Sequence, residues 1–507
     1  MMANTNIPGM ALSELLSGFA LQNPVPSIQI NDIVSNSARV TANSVFVALP
    51  GIKSNGIDYA IDAVKAGAVA VIYDASDDYS LQRIPLLRKQ VETHWIGVDQ
   101  LERANGHIVS RFFGDPGQAM TIIGITGTDG KSSVTHLVTQ ALTRIGKLCA
   151  SIGTLGHGIG NSLTPDSLTT PDAVSLQSRL HQFQLQRCEY VVMEVSSHAL
   201  QQYRVNGCDF DIAVLTNLGR DHLDYHGDQG SYAAAKARLF HDFQLSGRVV
   251  NVDDSFGQQI SESVEQKSLL RYSVESEGEC EAEIRLIASE LTASGQNIQA
   301  STPLGEVTAV TALLGHFNVE NTLACIATLV ALGLDHDQLE LAVKDLKPIP
   351  GRMEKFAGKP AGAAAVIDFA HTEQALRACL GACREHTSGL LWCVFGCGGD
   401  RDQGKRSGMG RAVEELADRV IVTDDNPRNE SPEKIVSEIL AGMKRPGQAC
   451  VVHNRQAAIE YALSQAAADD LVVIAGKGHE QEQIVGNERR PFSDRHVVSR
   501  ILQVSHD

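Results

Sequence analysis

The chain has 507 residues, of which 43% are hydrophobic and 20% charged. This composition is typical of a globular protein with a substantial core and excludes disordered, collagen-like and coiled-coil chains. The 43 Lys and Arg residues against 60 Asp and Glu residues leave a formal net charge of −17, which argues against a protein that binds nucleic acid or anionic membranes.

The start of the chain and the cysteines favour a cytoplasmic protein. The first 38 residues contain no Lys or Arg, so the basic start of a secretory signal is missing. No apolar run reaches the ~20 residues needed to cross a bilayer, so we expect no membrane insertion. The ten cysteines are scattered without the spacing of a zinc or redox site, and we expect reduced thiols in the core.

At roughly 100–200 residues per domain, the length predicts about three domains. The first, residues 1–118, is predicted to be a small α/β domain, and a Gly-Asp-Pro-Gly turn at 114–117 suits a linker after it. Strand-like and helical stretches alternate in it: strands at 45–49, 68–74 and 94–99, and helices after Asp58 and around 101–113.

A second α/β block, residues 119–350, opens with the strongest local motif. A β-branched strand leads into a Gly-rich turn, then Gly130-Lys131-Ser132, then a helix with one apolar face. The N–H groups of such a turn and the helix N-terminus favour an anion. Lys131 would pair with β/γ-phosphates and the Ser132 hydroxyl would ligate magnesium. The pattern departs from the general P-loop, because its first glycine falls on Ile125.

Two further positions in this block are candidates for metal chemistry. Glu194 ends an apolar strand, where a second magnesium-directed carboxylate would lie in a P-loop protein, although a plain surface carboxylate fits this position equally well. His222 follows another strand, between Asp221 and Asp224. A lone histidine is usually structural, but beside a phosphate loop it can ligate a metal.

The third block, residues 351–507, predicts a parallel, doubly wound sheet, because strands alternate with helical segments. Ligands bind beyond the carboxyl ends of such strands. The polar clusters DFAHTE, GCGGDRD, DDNPRNE and GKGHE each follow a predicted strand, so we expect them to meet at one edge of the sheet. The predicted strands are 364–369, 390–396, 419–424, 449–454 and 470–476.

Nine motifs in order resemble those of the ATP-dependent Mur ligases of peptidoglycan synthesis, over essentially the whole chain. They are TGTDGKSS, LTTPD, EVSSHAL, TNLGRDHLDYHG, YAAAKARLF, GHFNVENTLACIA, PGRME, DFAHTEQAL and FGCGGDRDQGKR. Within the family the resemblance is strongest to the branch that adds meso-diaminopimelate to UDP-N-acetylmuramoyl-L-alanyl-D-glutamate.

The resemblance implies an α/β fold of three domains. The domain at 1–118 would bind the UDP end of the substrate, a central P-loop ATPase domain at 119–350 would bind ATP, and a Rossmann-like domain at 351–507 would bind the incoming amino acid. ATP would convert the D-glutamate side-chain carboxylate into an acyl phosphate, which the amine attacks to form an amide with release of phosphate. Charge neutralisation and alignment of the reactants would supply the catalysis.

The resemblance also implies site residues. Lys131, Lys236, Glu194 and His222 would be catalytic, with Lys236 carbamylated by carbon dioxide and with magnesium ligands at Ser132, Glu194 and His222. Asn321, Arg352 and Asp368 would contact adenine, γ-phosphate and ribose. The remaining ATP-binding positions would be Thr126, Gly127, Thr128, Asp129, Gly130, Lys131, Ser132 and Ser133.

On the substrate side, the resemblance implies a UDP contact at Ser37. Thr169, Thr170, Ser196, Gln202 and Arg204 would hold the muramoyl dipeptide. The incoming amino acid would be held by Arg401, Asp425, Asn426, Pro427, Arg428, Gly476 and Glu480, with Glu480 suited to its distal ammonium group.

Arg428 bears on the choice of amino acid. A guanidinium grips a carboxylate through two hydrogen bonds, and diaminopimelate differs from lysine by one extra carboxylate. Family members that use lysine generally lack this arginine. A solvated charge at the end of a strand is the alternative interpretation of Arg428.

Four residues depart from the family pattern: Asp129 stands in place of Asn, Ala38 in place of Arg, Phe369 in place of Tyr and Ser407 in place of Pro. We expect Asp129 to weaken ATP binding by placing a carboxylate near the triphosphate. Three other functions stay open: a lysine-adding ligase, a folylpolyglutamate synthetase, and a catalytically silent nucleotide-binding partner. We expect a monomer with no nucleic-acid partner.

Overall fold

The protein is described from a computed structural model, at residues 9–51, 54–160, 162–275, 281–292, 295–358 and 362–503. Two compact units divide this part of the chain. The first runs to Tyr272 and includes Ala327–Leu334, and the second includes Ile284–Ile326 and the residues from Asp335 onward. Both contain parallel sheets with helical crossovers, which confirms the predicted α/β fold class.

The first unit begins with a four-stranded parallel sheet of order β3-β4-β5-β6. All five residues of β4 are buried, as is typical of a parallel strand covered on both faces. The elements are β1 (Met10–Ala11), α1 (Leu12–Leu15), β2 (Gln29–Ile30), β3 (Asp32–Val34), β4 (Ser44–Ala48), α2 (Ala60–Ala66), β5 (Ala68–Asp74), α3 (Asp78–Leu87), β6 (His94–Val98) and α4 (Leu101–Phe112).

A larger sheet follows in the same unit, in the order β10-β9-β8-β11-β7-β12-β13-β14. Strands β8, β11, β7, β12, β13 and β14 run parallel. The elements are β7 (Thr121–Thr126), α5 (Lys131–Arg144), β8 (Cys149–Gly153), β9 (Gly156–Ile159), β10 (Ser162–Thr164), α6 (Ala173–Leu185), β11 (Tyr190–Glu194), α7 (Ser197–Gln201), β12 (Phe210–Leu215), α8 (Leu223–His226), α9 (Gln229–His241), β13 (Gly247–Asn251), α10 (Ser255–Ser263) and β14 (Leu269–Ser273).

Helix α4 packs closely on the chain around residues 203–207 of the larger sheet domain. A Cβ added at Gly106 would overlap the backbone of Asn206, so only glycine fits there. The Asn206 side chain donates a hydrogen bond to the Arg103 carbonyl over 3.1 Å. Tyr203 lies between two guanidinium groups, those of Arg103 and Arg238, at 5.0 and 4.1 Å from its ring centre. Helix α4 and this turn therefore form a close interface within the first unit.

The second unit contains a β-meander and a six-stranded sheet. The meander is antiparallel over β15-β16-β17, with β18 parallel to β17, and was not anticipated from the sequence. Its elements are β15 (Ile284–Thr292), β16 (Gly295–Thr302), β17 (Gly305–Thr311), α11 (Phe317–Ala331, whose last residues belong to the first unit), α12 (His336–Ala342) and β18 (Lys344–Leu346).

The six-stranded sheet has the order β19-β20-β24-β21-β22-β23 and is parallel except for β19. Its strands and helices alternate as the sequence predicts. The elements are β19 (Glu354–Phe356), β20 (Ala364–Asp368), α13 (Glu373–Glu385), β21 (Leu391–Phe395), α14 (Lys405–Leu416), β22 (Arg419–Val422), α15 (Pro432–Leu440), β23 (Cys450–Val451), α16 (Arg455–Gln465), β24 (Leu471–Ala475), the hairpin strands β25 (Glu482–Val485) and β26 (Glu488–Pro491), and α17 (Asp494–Leu502).

Candidate functional site

The Gly-rich loop between β7 and α5 has the form of a phosphate-binding loop. Gly127 and Gly130 adopt positive φ angles of 151° and 82°. A Cβ on Gly127 would overlap the Thr216 hydroxyl, and Gly130 ends the loop in the left-handed region just before α5 begins. The buried face of α5 includes Val134, as predicted from the spacing of its apolar residues. The free N–H groups at the start of α5 can bind an anion.

The segment 216–219, which follows β12, holds this loop in place. Thr128 donates its N–H to the Asn217 carbonyl over 2.9 Å, and Asp129 donates its N–H to the Asn217 side-chain oxygen over 2.9 Å. The Thr216 hydroxyl donates to the Asp129 carbonyl over 2.6 Å. No role was predicted for Thr216 and Asn217, although their motif TNLG directly follows the buried strand β12.

Glu194 is 2% exposed at the end of β11 and contacts the first turn of α5. The Ser132 hydroxyl donates to its Oε2 over 2.9 Å, and the Thr154 N–H donates to its Oε1 over 2.8 Å. A hydroxyl and a carboxylate oxygen are hard ligands of the kind that magnesium prefers, so this pair fits a magnesium site. Within the described ranges, no group of three His, Cys, Asp or Glu side chains could hold a metal ion by itself.

Two lysines converge on one carbonyl of the loop. Lys131 Nζ donates to the carbonyls of Gly127 and Thr128 over 2.8 and 2.7 Å, and Lys236 Nζ donates to the Gly127 carbonyl over 2.6 Å. Lys236 is 1% exposed. Burial, with the nearby charge of Lys131, lowers the pKa of Lys236 to about 6. The Lys236 amine is therefore mostly neutral at pH 7.

The His222 ring lies near the phosphate-binding loop. Its ring packs 4.7 Å from His198 and 6.4 Å from Tyr232, centre to centre. The Tyr232 hydroxyl forms a 3.0 Å hydrogen bond with the Thr128 hydroxyl. His222 is half exposed and has a positive φ of 52°. The structure thus places this imidazole close to one wall of the phosphate loop.

Three of the residues predicted to hold the dipeptide are linked by hydrogen bonds to the end of β11, near Glu194. The Thr170 hydroxyl donates to the Glu194 carbonyl over 2.8 Å and accepts the Ser196 N–H over 3.0 Å. The Thr169 hydroxyl lies 3.1 Å from that of Thr154. These side chains are therefore fixed relative to the candidate magnesium ligand Glu194.

The other two form a chain of hydrogen bonds that leads back to Thr170. Arg204 donates Nε to Gln202 Oε1 over 2.8 Å and Nη1 to the Thr170 carbonyl over 3.2 Å. Gln202 donates to the Tyr225 hydroxyl over 2.9 Å, and Tyr225 was not among the predicted site residues. Ser37 lies in a different element, a one-turn 3₁₀ helix capped by Asn36.

The polar clusters of the second unit meet at the carboxyl edge of its parallel sheet, as predicted. Asn426 Nδ2 donates to Glu480 Oε2 over 2.9 Å. Arg428 donates Nη1 to the Gly399 carbonyl over 2.8 Å, in the same loop that carries Arg401. A Cβ added at Gly476 would lie 2.7 Å from Asp425 Oδ2, and one added at Gly399 would overlap the Pro427 carbonyl. These three loops therefore form one surface.

The hairpin β25–β26 fixes the backbone at Arg428, whose φ is 53°. The Arg428 N–H donates to the Ile484 carbonyl over 3.1 Å, and its carbonyl accepts the Gly486 N–H over 2.7 Å. Gln483 donates to the Asp425 carbonyl over 2.6 Å. The left-handed conformation of Arg428 is thus held from both sides.

The buried residue Arg406 also stabilises this surface through hydrogen bonds. This role was not predicted from the sequence. Arg406 donates to both carboxylate oxygens of Glu430, over 2.9 and 3.1 Å, and to Glu438 over 2.6 Å. Glu430 also accepts the Asp400 N–H over 2.6 Å. The hydrogen bonds from Arg406 lower the pKa of Glu430 to about 2, so this carboxylate stays ionised.

The predicted ATP contacts of the second unit lie next to this surface. Asp368 accepts the N–H groups of Met353 and Ala370 over 2.9 and 2.7 Å, and its carbonyl accepts the Gly476 N–H. Burial raises the pKa of Asp368. The Arg352 guanidinium stacks 5.4 Å from the centre of the Phe369 ring, so this contact does not need a ring hydroxyl.

Asn321 lies on α11 and is buried. It donates to the side chain of Asn318 over 2.9 Å.

Nine cysteines lie in the described ranges, all as free thiols and eight of them buried, as predicted. No helix in the described ranges is long and apolar enough to cross a membrane.

The exposed carboxylate of Asp129 gives a test of the phosphate loop. We expect Asp129→Asn to lower the Michaelis constant for ATP about two- to fivefold, or ~0.4–1 kcal/mol, because it removes a negative charge near the triphosphate. The loop should not move, since the contacts of Asp129 with Thr216 and Asn217 use its backbone. Steady-state kinetics with Asp337→Asn, another exposed carboxylate, serve as the control. A higher Michaelis constant for ATP in Asp129→Asn would contradict this expectation.

Comparison with known proteins identifies the family. Residues 125–329 match the Mur ligase middle domain, and residues 351–478 match the Mur ligase, glutamate ligase domain. A UDP-N-acetylmuramoyl-L-alanyl-D-glutamate–2,6-diaminopimelate ligase from Alkalilimnicola ehrlichii is 44% identical over 478 residues, covering 93% of this chain and 95% of the relative. A protein of the same name from Pseudomonas putida is 42% identical over 507 residues, covering 97% and 98%.

A solved structure described by that enzyme name agrees in fold as well. It is 33% identical to this chain, with a TM-score of 0.73, and the match covers 98% of this chain and all of the other. Sequence and structure thus agree over nearly the full length. The chain belongs to the Mur ligase family.

Proposed function

We propose that this Mur ligase joins meso-diaminopimelate to UDP-N-acetylmuramoyl-L-alanyl-D-glutamate in an ATP-dependent reaction that forms an amide and releases ADP and phosphate. The observation that carries this proposal is the surface formed by Arg428, Asn426 and Glu480 at the carboxyl edge of one parallel sheet. That surface offers a cation for a carboxylate and an anion for an ammonium group. A diamino dicarboxylic acid such as diaminopimelate presents both groups at its distal end.

In the phosphate-binding half, the chain would hold a nucleotide with its loop and with the start of α5. When bound, ATP supplies the phosphoryl group that activates the carboxylate, and Mg²⁺ neutralises charge on the phosphates. Ser132, Glu194 and His222 would hold magnesium. Lys131, which donates to two loop carbonyls, would turn its ammonium group to the phosphates.

Lys236 would act as a carbamate. Its neutral amine would attack carbon dioxide and lose a proton, which gives a carboxylate at the end of the side chain. The low pKa of the lysine supports this role, since only the neutral amine reacts with carbon dioxide. The new anion would lie beside Lys131, where it can attract a second cation.

The dipeptide end of the substrate would bind around Thr170 and Arg204. Their hydrogen bonds connect to Glu194, so the D-glutamate carboxylate would be oriented relative to the phosphate loop. Ser37 in the first domain would contact the UDP group. The other proposed dipeptide contacts are Thr169, Ser196 and Gln202.

In the second unit, Asn321, Arg352 and Asp368 would contact adenine, γ-phosphate and ribose, as the family motifs imply. The amino acid would be held by Arg401, Asp425, Asn426, Pro427, Arg428, Gly476 and Glu480. We also propose the three domains 1–118, 119–350 and 351–507, and a cytoplasmic monomer. Light scattering on the purified chain would test the monomer.

Phosphate release tests the proposed function. The chain is mixed with ATP, Mg²⁺, UDP-N-acetylmuramoyl-L-alanyl-D-glutamate and one amino acid: meso-diaminopimelate, LL-diaminopimelate, lysine or none. A separate mixture contains ATP, Mg²⁺, a folate and glutamate. We expect phosphate release and a tripeptide product with meso-diaminopimelate alone. Release with lysine would indicate the lysine-adding alternative, release only with a folate and glutamate would indicate a folylpolyglutamate synthetase, and no release with any set would support a silent nucleotide-binding partner.

A further inference from the structure

Lys477 is a fully buried lysine at the carboxyl end of β24, directly after Gly476. Its ammonium group donates to Glu480 Oε2 over 2.6 Å and to Asn426 Oδ1 over 3.1 Å. Buried lysines are rare unless their charge is paired. Both partners of Lys477 are residues that the proposed function assigns to the incoming amino acid.

The three side chains form a closed ring of hydrogen bonds, because Asn426 Nδ2 also donates to Glu480 Oε2 over 2.9 Å. The orientation of the Asn426 amide is determined by this ring. Its oxygen accepts from Lys477 and from the Ile484 N–H, over 2.9 Å, and a flipped amide would place an NH₂ group against both donors. Lys477 thus fixes the asparagine as well as the glutamate.

The ring leaves one oxygen of Glu480 for a ligand. Oε2 accepts two hydrogen bonds, whereas Oε1 accepts none within the described part of the chain. Lys477 has no exposed surface, so its ammonium group is not itself available to a substrate. Its effect on binding would pass through Asn426 and Glu480.

We propose that Lys477 is a positioning residue of the amino-acid site. It holds Glu480 and Asn426 in the orientation that receives the distal ammonium group of a diamino acid, and it joins the loop after β22 to the loop after β24. The proposal rests on the proposed function, since that function assigns the ligand of Glu480.

Three variants test this role: Lys477→Met, Glu480→Gln and the double variant. Lys477→Met keeps the apolar stem and removes the charge. We expect it to raise the Michaelis constant for meso-diaminopimelate roughly 10- to 100-fold, as for loss of a charged hydrogen bond, and to change that for ATP less than about twofold. Because Lys477 acts in part through Glu480, the loss in the double variant should be smaller than the product of the two single losses.

Lys434→Met is the matched control, since Lys434 lies on α15 with its side chain 55% exposed, and it should behave as the unmodified chain. An unchanged Michaelis constant for the amino acid in Lys477→Met would overturn the proposal even if its melting temperature falls. So would effects that multiply in the double variant. Should Lys477→Met fail to fold, the double variant, which removes both charges together, decides by comparison with Glu480→Gln.

The unmodified chain separates this proposal from the proposed function. No diaminopimelate-dependent phosphate release would overturn the function, and with it the assigned ligand of Glu480. Normal release by the unmodified chain, together with unchanged kinetics in Lys477→Met, would overturn only the role of Lys477.

Discussion

Replacing Lys236 by alanine is expected to reduce phosphate release at least about 100-fold, the size of effect seen when a preorganised charged group is removed from a catalytic site. A short carboxylate such as formate or acetate should restore part of the activity, because it supplies the anion that the carbamate would provide. Phosphate release by Lys236→Ala, with and without each added carboxylate, measures both effects. Carbon-dioxide-depleted buffer should lower the activity of the unmodified chain and leave Lys236→Ala unaffected.

The activity should also depend on pH through the carbamate on Lys236. The carbamate forms from the neutral amine, and the pKa of Lys236 is about 6, so carbamate formation is favoured above that pH and declines as the pH falls through it. Lys65→Ala, on exposed α2 surface, is the control and should be fully active. Full activity of Lys236→Ala without any added carboxylate would remove the carbamate from the mechanism.

The second large effect is expected for Arg428→Ala. Loss of a buried partner of a carboxylate costs about 2–5 kcal/mol, which corresponds to roughly 30- to 5,000-fold in kcat/KM for meso-diaminopimelate. The Michaelis constants for ATP and for the UDP substrate should change little. Steady-state kinetics with each substrate varied in turn measure this difference.

Arg445→Ala is the matched control, because Arg445 lies in the same unit with its side chain 65% exposed. Its kinetics should equal those of the unmodified chain. If Arg428→Ala retained both the turnover and the Michaelis constant for meso-diaminopimelate, Arg428 would be a solvated charge at the end of a strand.

Much of the architecture could be predicted from the order of strands and helices. The predicted strand 68–74 coincides with β5, and 364–369 differs from β20 by one residue. Continuous apolar runs between helical segments indicate parallel strands, and parallel strands place their carboxyl ends together. The meeting of four polar clusters at one edge follows from that rule alone.

Strands at the edges of sheets and strands of the meander were harder to predict from the sequence. The predicted strand 449–454 is reduced to the two residues of β23, because it lies at the edge of the sheet with a neighbour on one side only. The meander β15–β17 was missed since one face of it is exposed and its apolar pattern is weak. Local sequence carries little information about such elements.

The missed site residues are those whose importance depends on burial. Lys477 and Arg406 look like surface charges in the sequence, but both are fully buried, and each has at least one partner far along the chain. Lys477 and Asn426 are 51 positions apart, and Arg406 and Glu430 are 24 apart. A motif shows which residue types are present, whereas these contacts depend on how distant loops fold together.

The close interface between α4 and the turn at 203–207 has a consequence for the substrate. Arg204, proposed for the dipeptide, lies within that turn, and Ser37, proposed for the UDP group, precedes α4 in the same compact unit. Gly106 lies directly against the backbone of Asn206. Ser37 and Arg204 therefore cannot move apart through a separation of α4 from this turn unless the interface breaks. The fixed distance between the proposed UDP contact and the proposed dipeptide contact would then select substrates by the length of the segment that joins nucleotide and peptide.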